Sequence, residues 1–435
     1  MRSSKTAAVV AALSLVVGIS AGCSSGSSSS SNTLTYWASN QSTSLDADKQ
    51  ILQPELDKFQ QQTGIHVNVE VIPWPDLLNR ILAATTSGQG PDVLNIGNTW
   101  AASLQATGAL AQFDDATLAK VGGRDKFIAS GMAATGAPGQ PPAAVPLYGL
   151  AYGLFYNKKM FADAGLTPPT TWQQLLDDAR RLTDPAKSQW GLGIEGASYT
   201  EGAHFAFMFN RQNGGQPFGP GNKPQFDSPQ MVAGVKQYVD LISSGVVNPS
   251  DAEHVNDTDM DGEFASGKAA MIMQQNNATA TLKSDGMTED QYGVVPIPAI
   301  DPVPAGGAPV SSIVAGIDMT AFANSQNLDG ALKFINFMTS PDEQKILNSA
   351  FGSLPVVPDA YSDPRFSTPL IGAFRQVLAN RAEPMPQIAQ ESQFETLIGN
   401  AVKDLMAQAA SGQKPDDNAI KARLTTANQQ MPAGG

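Results

Sequence analysis

The sequence predicts an α/β fold in which helices cover a largely parallel sheet, and three observations indicate it. Residues 34–100 alternate between strand-like and helix-like hydrophobic patterns. Their order is strand, helix, strand, helix, strand, and parallel neighbouring strands require crossover helices of this kind. Of the 435 residues, 413 follow position 22, which is enough chain for two or more domains.

Each element of this first unit has its own signal. The first strand covers residues 34–37, and the helix after it carries apolar residues at helical spacing and stops at Gly64. Residues 65–71 alternate apolar and polar side chains, which predicts a half-buried strand. A second helix runs to Ser87 and Gly88, and residues 91–96 form the third strand. The unit is therefore a β-α-β-α-β segment.

The polar segments after the first and third strands mark one edge of this sheet. They are residues 38–41 and residues 97–100, and each carries or adjoins a tryptophan. Ligands of open α/β sheets bind beyond the carboxyl ends of the strands. We therefore expect a ligand to meet these two segments. Trp74, which follows the second strand of the unit (residues 65–71), is interpreted as structural.

The N-terminus has the pattern of an export signal. Arg2 and Lys5 precede an apolar stretch of 15 residues, 6–20, which is too short for a comfortable membrane span. Residues 20–23 resemble a bacterial lipobox that ends at Cys23, the single cysteine of the chain. The usual branched apolar residue three positions before the cysteine is replaced by Ser20, so an ordinary secretory signal with an incidental cysteine remains open.

This reading makes residues 1–22 a lipoprotein signal peptide and Cys23 the lipid-modified residue that anchors the protein to the cell membrane. Residues 23–32 form a Ser/Gly linker, which is flexible and cannot bury a core. The protein would then be extracytoplasmic. With a single cysteine, disulfides play no part in its stability.

The charge balance excludes some classes of partner. Without Arg2 and Lys5 the chain has 40 acidic residues against 25 basic ones, a net charge of about −15. This charge argues against nucleic acid or an anionic surface as a partner.

A series of short motifs occurs in order between about residue 33 and residue 415. They are Thr63–Val67, Ser87–Val93, Val145–Tyr148, Tyr156–Phe161, Ala164–Leu166, Asn213–Gly215, Gly267–Met271, Ala331–Ile335 and Thr339–Pro341. Together they resemble the extracytoplasmic solute-binding proteins of carbohydrate ABC importers, the maltose-binding-like family.

The resemblance implies a two-lobed periplasmic-binding-protein-like fold of type II, with a ligand cleft between lobes joined by a multi-strand hinge. The first lobe would contain residues 33–147 and 297–340, and the second residues 148–296 and 341–435. A ligand that contacts both lobes stabilises the closed form by its higher affinity for that form. The resemblance also implies a membrane-anchored monomer that captures a mono- to oligosaccharide and delivers it to the permease, without enzymatic activity or cofactor.

Carried over by position, the resemblance implies a set of ligand-binding residues. Amide and hydroxyl side chains suit sugar hydroxyls, and an aromatic face such as Trp100 packs on the apolar side of a pyranose. For Trp100 and His204, packing inside their own lobes is an equally good interpretation. The expected ligand-binding residues are Ser39, Asn40, Gln41, Asn98, Thr99, Trp100, Tyr148, Tyr199, Glu201, His204, Gln275, Asn277, Gly316, Ser353 and Asn400.

Two of these positions depart from the family pattern. Asn277 stands where relatives commonly have a tryptophan, and Asn400, with Gly399, replaces positions that carry aromatic ligand contacts. The thinned aromatic surface indicates a smaller or more polar ligand than a linear glucan. A glycerol phosphodiester or another polyol is the nearest alternative, and a phosphate would need Lys403 or Arg211 as its cationic anchor.

Motifs for catalysis and metal binding are absent from the sequence. Asp257, Asp259 and Asp261 imitate the start of a calcium loop, but Lys268 falls where that loop needs its glutamate, so these acids are expected to lead into a helix. The three histidines show no zinc spacing, and after the export signal neither a G-x-S-x-G elbow nor a phosphate loop occurs. We expect no metal and no catalytic residue, with an exported glycan-processing enzyme as the remote alternative.

Overall fold

The computed structural model describes residues 32–431. The expected signal peptide (1–22), the expected lipidation site Cys23 and the linker up to residue 31 lie outside the described residues, as do residues 432–435. Within residues 32–431, no helix has both the length and the apolar character that a membrane span requires.

The strands of the described chain form two larger sheets and two two-stranded ones. In chain order, β1 to β12 are Thr33–Ser39, His66–Ile72, Val93–Gly97, Val145–Leu150, Tyr152–Asn157, Phe218–Gly219, Lys223–Pro224, Met271–Gln275, Tyr292–Val295, Ser312–Ile313, Ala315–Ala321 and Ala382–Glu383.

The helices of the described chain cover these sheets and join the strands. In chain order, α1 to α16 are Leu45–Thr63, Trp74–Ser87, Ala101–Ala106, Asp115–Lys120, Ala129–Met132, Lys158–Asp163, Trp172–Leu182, Tyr199–Gln212, Pro229–Ser243, Asp257–Ala265, Ala278–Ser284, Leu328–Met338, Pro341–Phe351, Pro369–Asn380, Glu391–Ala410 and Asp417–Gln430.

The first sheet has the strand order β2-β1-β3-β11-β4. Its first three strands are parallel, with Tyr36 opposite Val69 on one side and Val93 on the other, so the predicted β-α-β-α-β unit is confirmed. β11 runs antiparallel to both β3 and β4. Four of the five strands therefore run in one direction, as the predicted largely parallel sheet requires, and only β11 runs against them.

The helix boundaries in this unit follow the local signals. The side chain of Ser44 accepts a hydrogen bond from the backbone N–H of Ala47 and begins α1. Gly64 ends α1 with a φ of 74°, and Gly88 ends α2 with a φ of 69°, a left-handed conformation that favours glycine. Both predicted stops are confirmed.

The second sheet has the order β8-β5-β9, and all its pairs are antiparallel. Only Ala151 separates β5 from β4 of the first sheet, so the chain crosses between the sheets there. It returns between β9 and β11, and a third passage follows α13.

Two contacts bear on where the chain passes between the sheets for the third time, a passage expected at residue 341. The side chain of Gln344 in α13 donates to the backbone oxygen of Leu147 in β4, which places α13 with the first sheet. Phe374 of α14 packs against Phe155 of β5, with ring centroids 5.7 Å apart. We propose that the third passage lies between residues 352 and 368.

Helices α8 and α15 pack against each other more closely than bulky side chains allow. A Cβ added at Gly399 of α15 would lie 1.9 Å from the backbone oxygen of Tyr199 in α8, and one added at Gly202 would lie 3.2 Å from the oxygen of Gly399. The two helices therefore meet through glycines, and this contact fixes the position of α15 beside the start of α8.

We expect Gly399→Ala to lower the free energy of unfolding by about 1–3 kcal/mol, because the added methyl group must force the two helices apart. Gly372→Ala in α14 is the matched control, since no atom lies within 4 Å of its added Cβ. Helix propensity alone predicts a gain of up to about 1 kcal/mol for the control. Urea denaturation of both variants measures the difference, and equal stabilities would contradict the proposed close contact.

Candidate functional site

A cavity of about 480 Å³ lies between the first sheet and a wall built by β8 of the second sheet and the starts of α8 and α10. Residues from turns after β1, β2 and β3 line one side, namely Asn40, Gln41, Ser42, Thr43, Ser44, Leu45, Pro73, Trp74, Pro75, Gly97, Asn98 and Thr99. The opposite side consists of Glu195, Ser198, Thr200, Glu201, His204, Val255, Asn256, Asp257, Thr258, Asp259, Gln274, Gln275 and Asn277. Leu150, Ile313, Ala315, Gly316 and Ile317 of the connecting strands complete the lining.

The turn after β1 is held by a buried carboxylate. Asp48 of α1 accepts hydrogen bonds from the backbone N–H groups of Gln41 and Ser42 at 3.1 Å each. Burial raises the pKa of Asp48 to about 6, although these hydrogen bonds oppose the shift. Asn40 fixes the other end of the turn, because its Oδ1 accepts the backbone N–H of Trp74 at 2.6 Å.

Two amide side chains in the lining have carbonyl oxygens without a donor. The Nε2 of Gln41 donates to the hydroxyl of Ser39 at 3.1 Å and to the backbone oxygen of Asn40 at 2.7 Å. Its Oε1 is buried without a hydrogen-bond partner among the described residues, and so is the Oδ1 of Asn277. A buried acceptor without a donor costs free energy, so a hydrogen-bond donor from a ligand would be favoured here.

The aromatic surface of the cavity comes from Trp74 rather than from Trp100. Trp100 is 0 % exposed and does not line the cavity. Trp74 lines the cavity and stacks on Trp100, with ring centroids 4.5 Å apart and planes 20° apart. The interpretation of Trp74 as structural therefore has to be corrected. Its place just after the carboxyl end of β2 is the signal that could have identified it.

A chain of hydrogen bonds organises the opposite wall. The Tyr152 hydroxyl donates to Oε1 of Glu201 at 2.6 Å, accepts from Nε2 of Gln275 at 2.8 Å and lies 2.7 Å from Nδ1 of His204. Because the single hydroxyl proton goes to Glu201, the His204 nitrogen must donate to the Tyr152 oxygen. Tyr152 is thus the centre that positions three lining side chains.

Glu395 of α15 continues this chain toward the first sheet. Its Oε1 lies 3.1 Å from Nε2 of His204, and its Oε2 accepts the indole N–H of Trp100 at 2.6 Å. Burial opposes a charge on His204, but the hydrogen bond and the charge of Glu395 outweigh it and raise the pKa of His204. The raised pKa favours the imidazolium form, in which Nδ1 donates to Tyr152 and Nε2 donates to the buried Glu395.

The second wall is rich in carboxylates. Glu195 accepts from Nε2 of Gln274 at 3.0 Å, and Asp257 accepts from Nδ2 of Asn277 at 3.5 Å. Burial, followed by the charges of Glu201 and Asp257, raises the pKa of Glu195 well above its ordinary value. No lysine or arginine is among the lining residues.

The expected residues fall into two groups. The structure brings Asn40, Gln41, Asn98, Thr99, Glu201, His204, Gln275, Asn277 and Gly316 together in the lining, but not Ser39, Trp100, Tyr148, Tyr199, Ser353 and Asn400.

The residues outside the lining have other contacts. Ser39 lies behind Gln41, and Tyr148 is buried with its ring against Phe351 at 5.4 Å. Ser353 is buried and donates to Asn348, whereas Asn400 is exposed and donates to the backbone of its own helix.

Sequence reasoning missed Glu195, Thr200 and Glu395 as well as Trp74. Glu195 and Thr200 flank the start of α8, within a few residues of the expected Glu201, so the stretch before this helix is the signal that was underused. Glu395 lies one helical turn before Gly399, and no local pattern distinguishes it from a surface acid.

The acids near residue 257 lead into a helix, as predicted, since Asp257 begins α10 and Asn256 caps it by accepting from the backbone N–H of Thr258. Nearby, Asp251, His254 and Glu263 each place one possible metal-ligand atom within 4.8 Å of the others. The second carboxylate oxygen of Asp251 accepts from the backbone N–H of Ile194 at 3.3 Å, so this group also serves the local fold.

Comparison with known proteins gives relatives of matching length. A putative binding protein of Brucella abortus is 24% identical over 348 residues, which cover 79% of this chain and 81% of the relative. The sn-glycerol-3-phosphate-binding periplasmic protein UgpB of Rhizobium meliloti is 22% identical over 372 residues, 81% of each chain.

The fold of this chain also matches solved structures. An ABC transporter solute-binding protein from Thermotoga lettingae, bound with α-D-tagatose, superposes with a TM-score of 0.78 at 22% identity. The match covers 92% of this chain and 100% of the other. The two-lobed type II fold is thereby confirmed.

The family described as "Bacterial extracellular solute-binding protein" matches residues 42–345, more than half of the chain. This chain therefore belongs to the bacterial extracellular solute-binding proteins.

Proposed function

We propose that the protein captures a carbohydrate, from a monosaccharide to a short oligosaccharide, and delivers it to an ABC importer. One observation carries this proposal: the cavity between the sheets combines amide, hydroxyl and carboxylate side chains with one tryptophan face. Polar groups that converge around an aromatic surface suit a ring with hydroxyls at its edge and apolar C–H groups on its face. The cavity volume, about 480 Å³, lies in the range of ordinary ligand sites, roughly 300–1,000 Å³.

Binding would work by joining the two walls. A ligand that contacts Asn40 and Trp74 on one side and Glu201 and Gln275 on the other has more contacts when the walls are close. It therefore shifts the protein toward the closed arrangement, which the permease would recognise. This role requires no covalent chemistry, and we assign no enzymatic activity to the lining carboxylates.

The alternative ligand, a glycerol phosphodiester, has support from the name of the Rhizobium meliloti relative. The two cations that the sequence offers for a phosphate do not line the cavity. Arg211 is paired with Glu383 at 2.6 Å, and Lys403 is exposed on α15. A phosphate would face carboxylates without a cationic partner, so a carbohydrate is favoured, and a neutral polyol is the second candidate.

A panel of sugars, polyols and glycerol phosphodiesters tests this function by thermal shift. A ligand at 100 times its dissociation constant should stabilise the folded state by about 2.7 kcal/mol. For a chain of this length the expected shift is about 2–4 °C or less, so calorimetry should confirm each hit. A shift with phosphodiesters alone would replace carbohydrate by the alternative ligand, and no response from the whole panel would contradict both.

We expect Trp74→Ala to weaken carbohydrate binding by about 1–3 kcal/mol, the usual cost of truncating an aromatic anchor. Trp37→Ala is the matched control, because Trp37 lies under the guanidinium of Arg80, 4.4 Å from its ring centroid, and does not line the cavity. Titration calorimetry of both variants measures the difference. Equal affinity in the two variants would remove Trp74 from the binding surface.

We also propose that Cys23 is acylated and anchors the protein to the outer face of the cell membrane. The chain belongs to a family of extracellular proteins, which agrees with export. The apolar segment 6–20 before Cys23 agrees with a lipoprotein signal.

The anchor predicts that Cys23→Ala releases the protein from the membrane fraction or leaves its signal uncleaved. Ser24→Ala is the control and should stay membrane-bound. Mass spectrometry of the wild-type N-terminus should find an acylated Cys23. An unacylated terminus at another position would refute the anchor.

A further inference from the structure

The cavity lining contains four carboxyl side chains and neither lysine nor arginine, and this charge imbalance bears on the ligand class. The inference rests on the proposed function, because it concerns the ligand of the same cavity. Glu195 and Glu201 are only 6 % and 8 % exposed, and both line the cavity. Asp257 and Asp259 lie on the same wall. An ionised carboxylate only accepts hydrogen bonds, and a positively charged donor would stabilise that form against the burial and repulsion that raise the pKa of Glu195.

The opposite wall repeats the demand for donors independently of the acids. Gln41 is 8 % exposed and lines the cavity, and its buried Oε1 has no hydrogen-bond partner among the described residues. Its orientation is fixed because Nε2 donates to Asn40 O and to Ser39 Oγ, and a flipped amide would set two carbonyl oxygens against each other. On the acidic wall itself, Asn277 Oδ1 is unpaired in the same way.

Among the lining residues only His204 can carry a positive charge, and its Nδ1 lies 3.8 Å from Oε1 of Glu201. The lining contains neither lysine nor arginine. His204 is already committed, since its Nδ1 faces Tyr152 at 2.7 Å and its Nε2 faces Glu395 at 3.1 Å. A positive charge on His204 is shared between the buried Glu395 and Glu201, and Glu195 and Asp257 have no such ion pair.

We propose that the ligand carries a protonated amine, which makes it an amino sugar or an oligosaccharide with amino-substituted rings. An ammonium group supplies three donors and one positive charge, and both match the wall around Glu195, Glu201 and Asp257. The hydroxyls of the same ring supply donors to Gln41 and Asn277. An ion pair in a partly desolvated cleft is stronger than the same pair in water.

The electrostatic repulsion among these carboxyl groups agrees with a positively charged ligand. After burial, the charges of Glu201, Asp257 and Asp261 are what raise the pKa of Glu195. Like charges held close together repel, and a bound cation relieves that repulsion. A neutral sugar relieves it only through hydroxyl donors, and an anionic ligand makes it worse.

The test is titration calorimetry of the full chain with sugars matched in ring and linkage. The neutral members are D-glucose, D-galactose, D-mannose and cellobiose, and the amino members are D-glucosamine, D-galactosamine, D-mannosamine and the β-1,4 disaccharide of glucosamine. We expect at least one amino sugar to bind more than about tenfold tighter than its neutral partner, with N-acetylation abolishing the gain. The gain should shrink between 0.02 and 0.5 M salt, because added ions screen the charges.

The outcomes separate this inference from the proposed function. If neutral sugars bind as tightly as their amino partners, or if the N-acetyl forms bind best, the inference is overturned and the carbohydrate function stands. If no sugar of the panel binds, the proposed function fails and the inference fails with it.

Glu195→Gln supplies a second test, with Glu289→Gln as its control. Both remove one negative charge, but Glu289 is exposed and outside the lining. We expect Glu195→Gln to reduce the amino-sugar preference at least fivefold while neutral-sugar binding changes less, and Glu289→Gln to leave the preference unchanged. An equal loss for neutral and amino sugars would overturn the inference, because Glu195 would then act only as an acceptor for hydroxyls. Melting temperatures establish that both variants are folded.

Discussion

The rest of the site depends on the hydrogen bonds that the buried carboxylate of Glu395 makes. This carboxylate is fully buried, and its two oxygens contact Trp100 near the first sheet and His204 in α8. A buried charge is tolerated only when hydrogen bonds and an opposite charge compensate its loss of hydration. The indole N–H and the imidazolium provide both, so the turn after β3, α8 and α15 are held in one arrangement.

Both walls of the cavity follow from this anchor. Trp100, held by Glu395, is the surface on which Trp74 stacks, and Trp74 in turn presents its own ring to the cavity. On the other side, His204 holds the Tyr152 hydroxyl, which positions Glu201 and Gln275. The aromatic face and the polar wall therefore belong to one connected set of contacts. The close packing of α15 on α8 holds these contacting side chains in their relative positions.

The sequence predicts the first sheet well because its signals are local. Gly64 and Gly88 end helices through their own backbone conformation, and the alternation of residues 65–71 follows from one buried face. The site is less predictable, since it depends on pairs distant in the chain. Which tryptophan reaches the cavity is decided by Glu395, which is 295 residues away from Trp100. The position of a residue just after a strand indicates which loops meet the ligand. It does not distinguish a side chain that lines the cavity, such as Trp74, from one packed behind it, such as Trp100.

The single residue between β4 and β5 has a consequence for selectivity. Ala151 is the whole connection there, so the two walls act as tethered half-sites rather than as independent surfaces. A ligand that has bound one wall meets the other as an intramolecular partner, at an effective concentration set by the tether and not by the solution. If each wall modestly prefers one solute over another, the two affinity ratios are then multiplied. A protein built this way can discriminate sharply between similar solutes although neither of its halves binds any of them tightly.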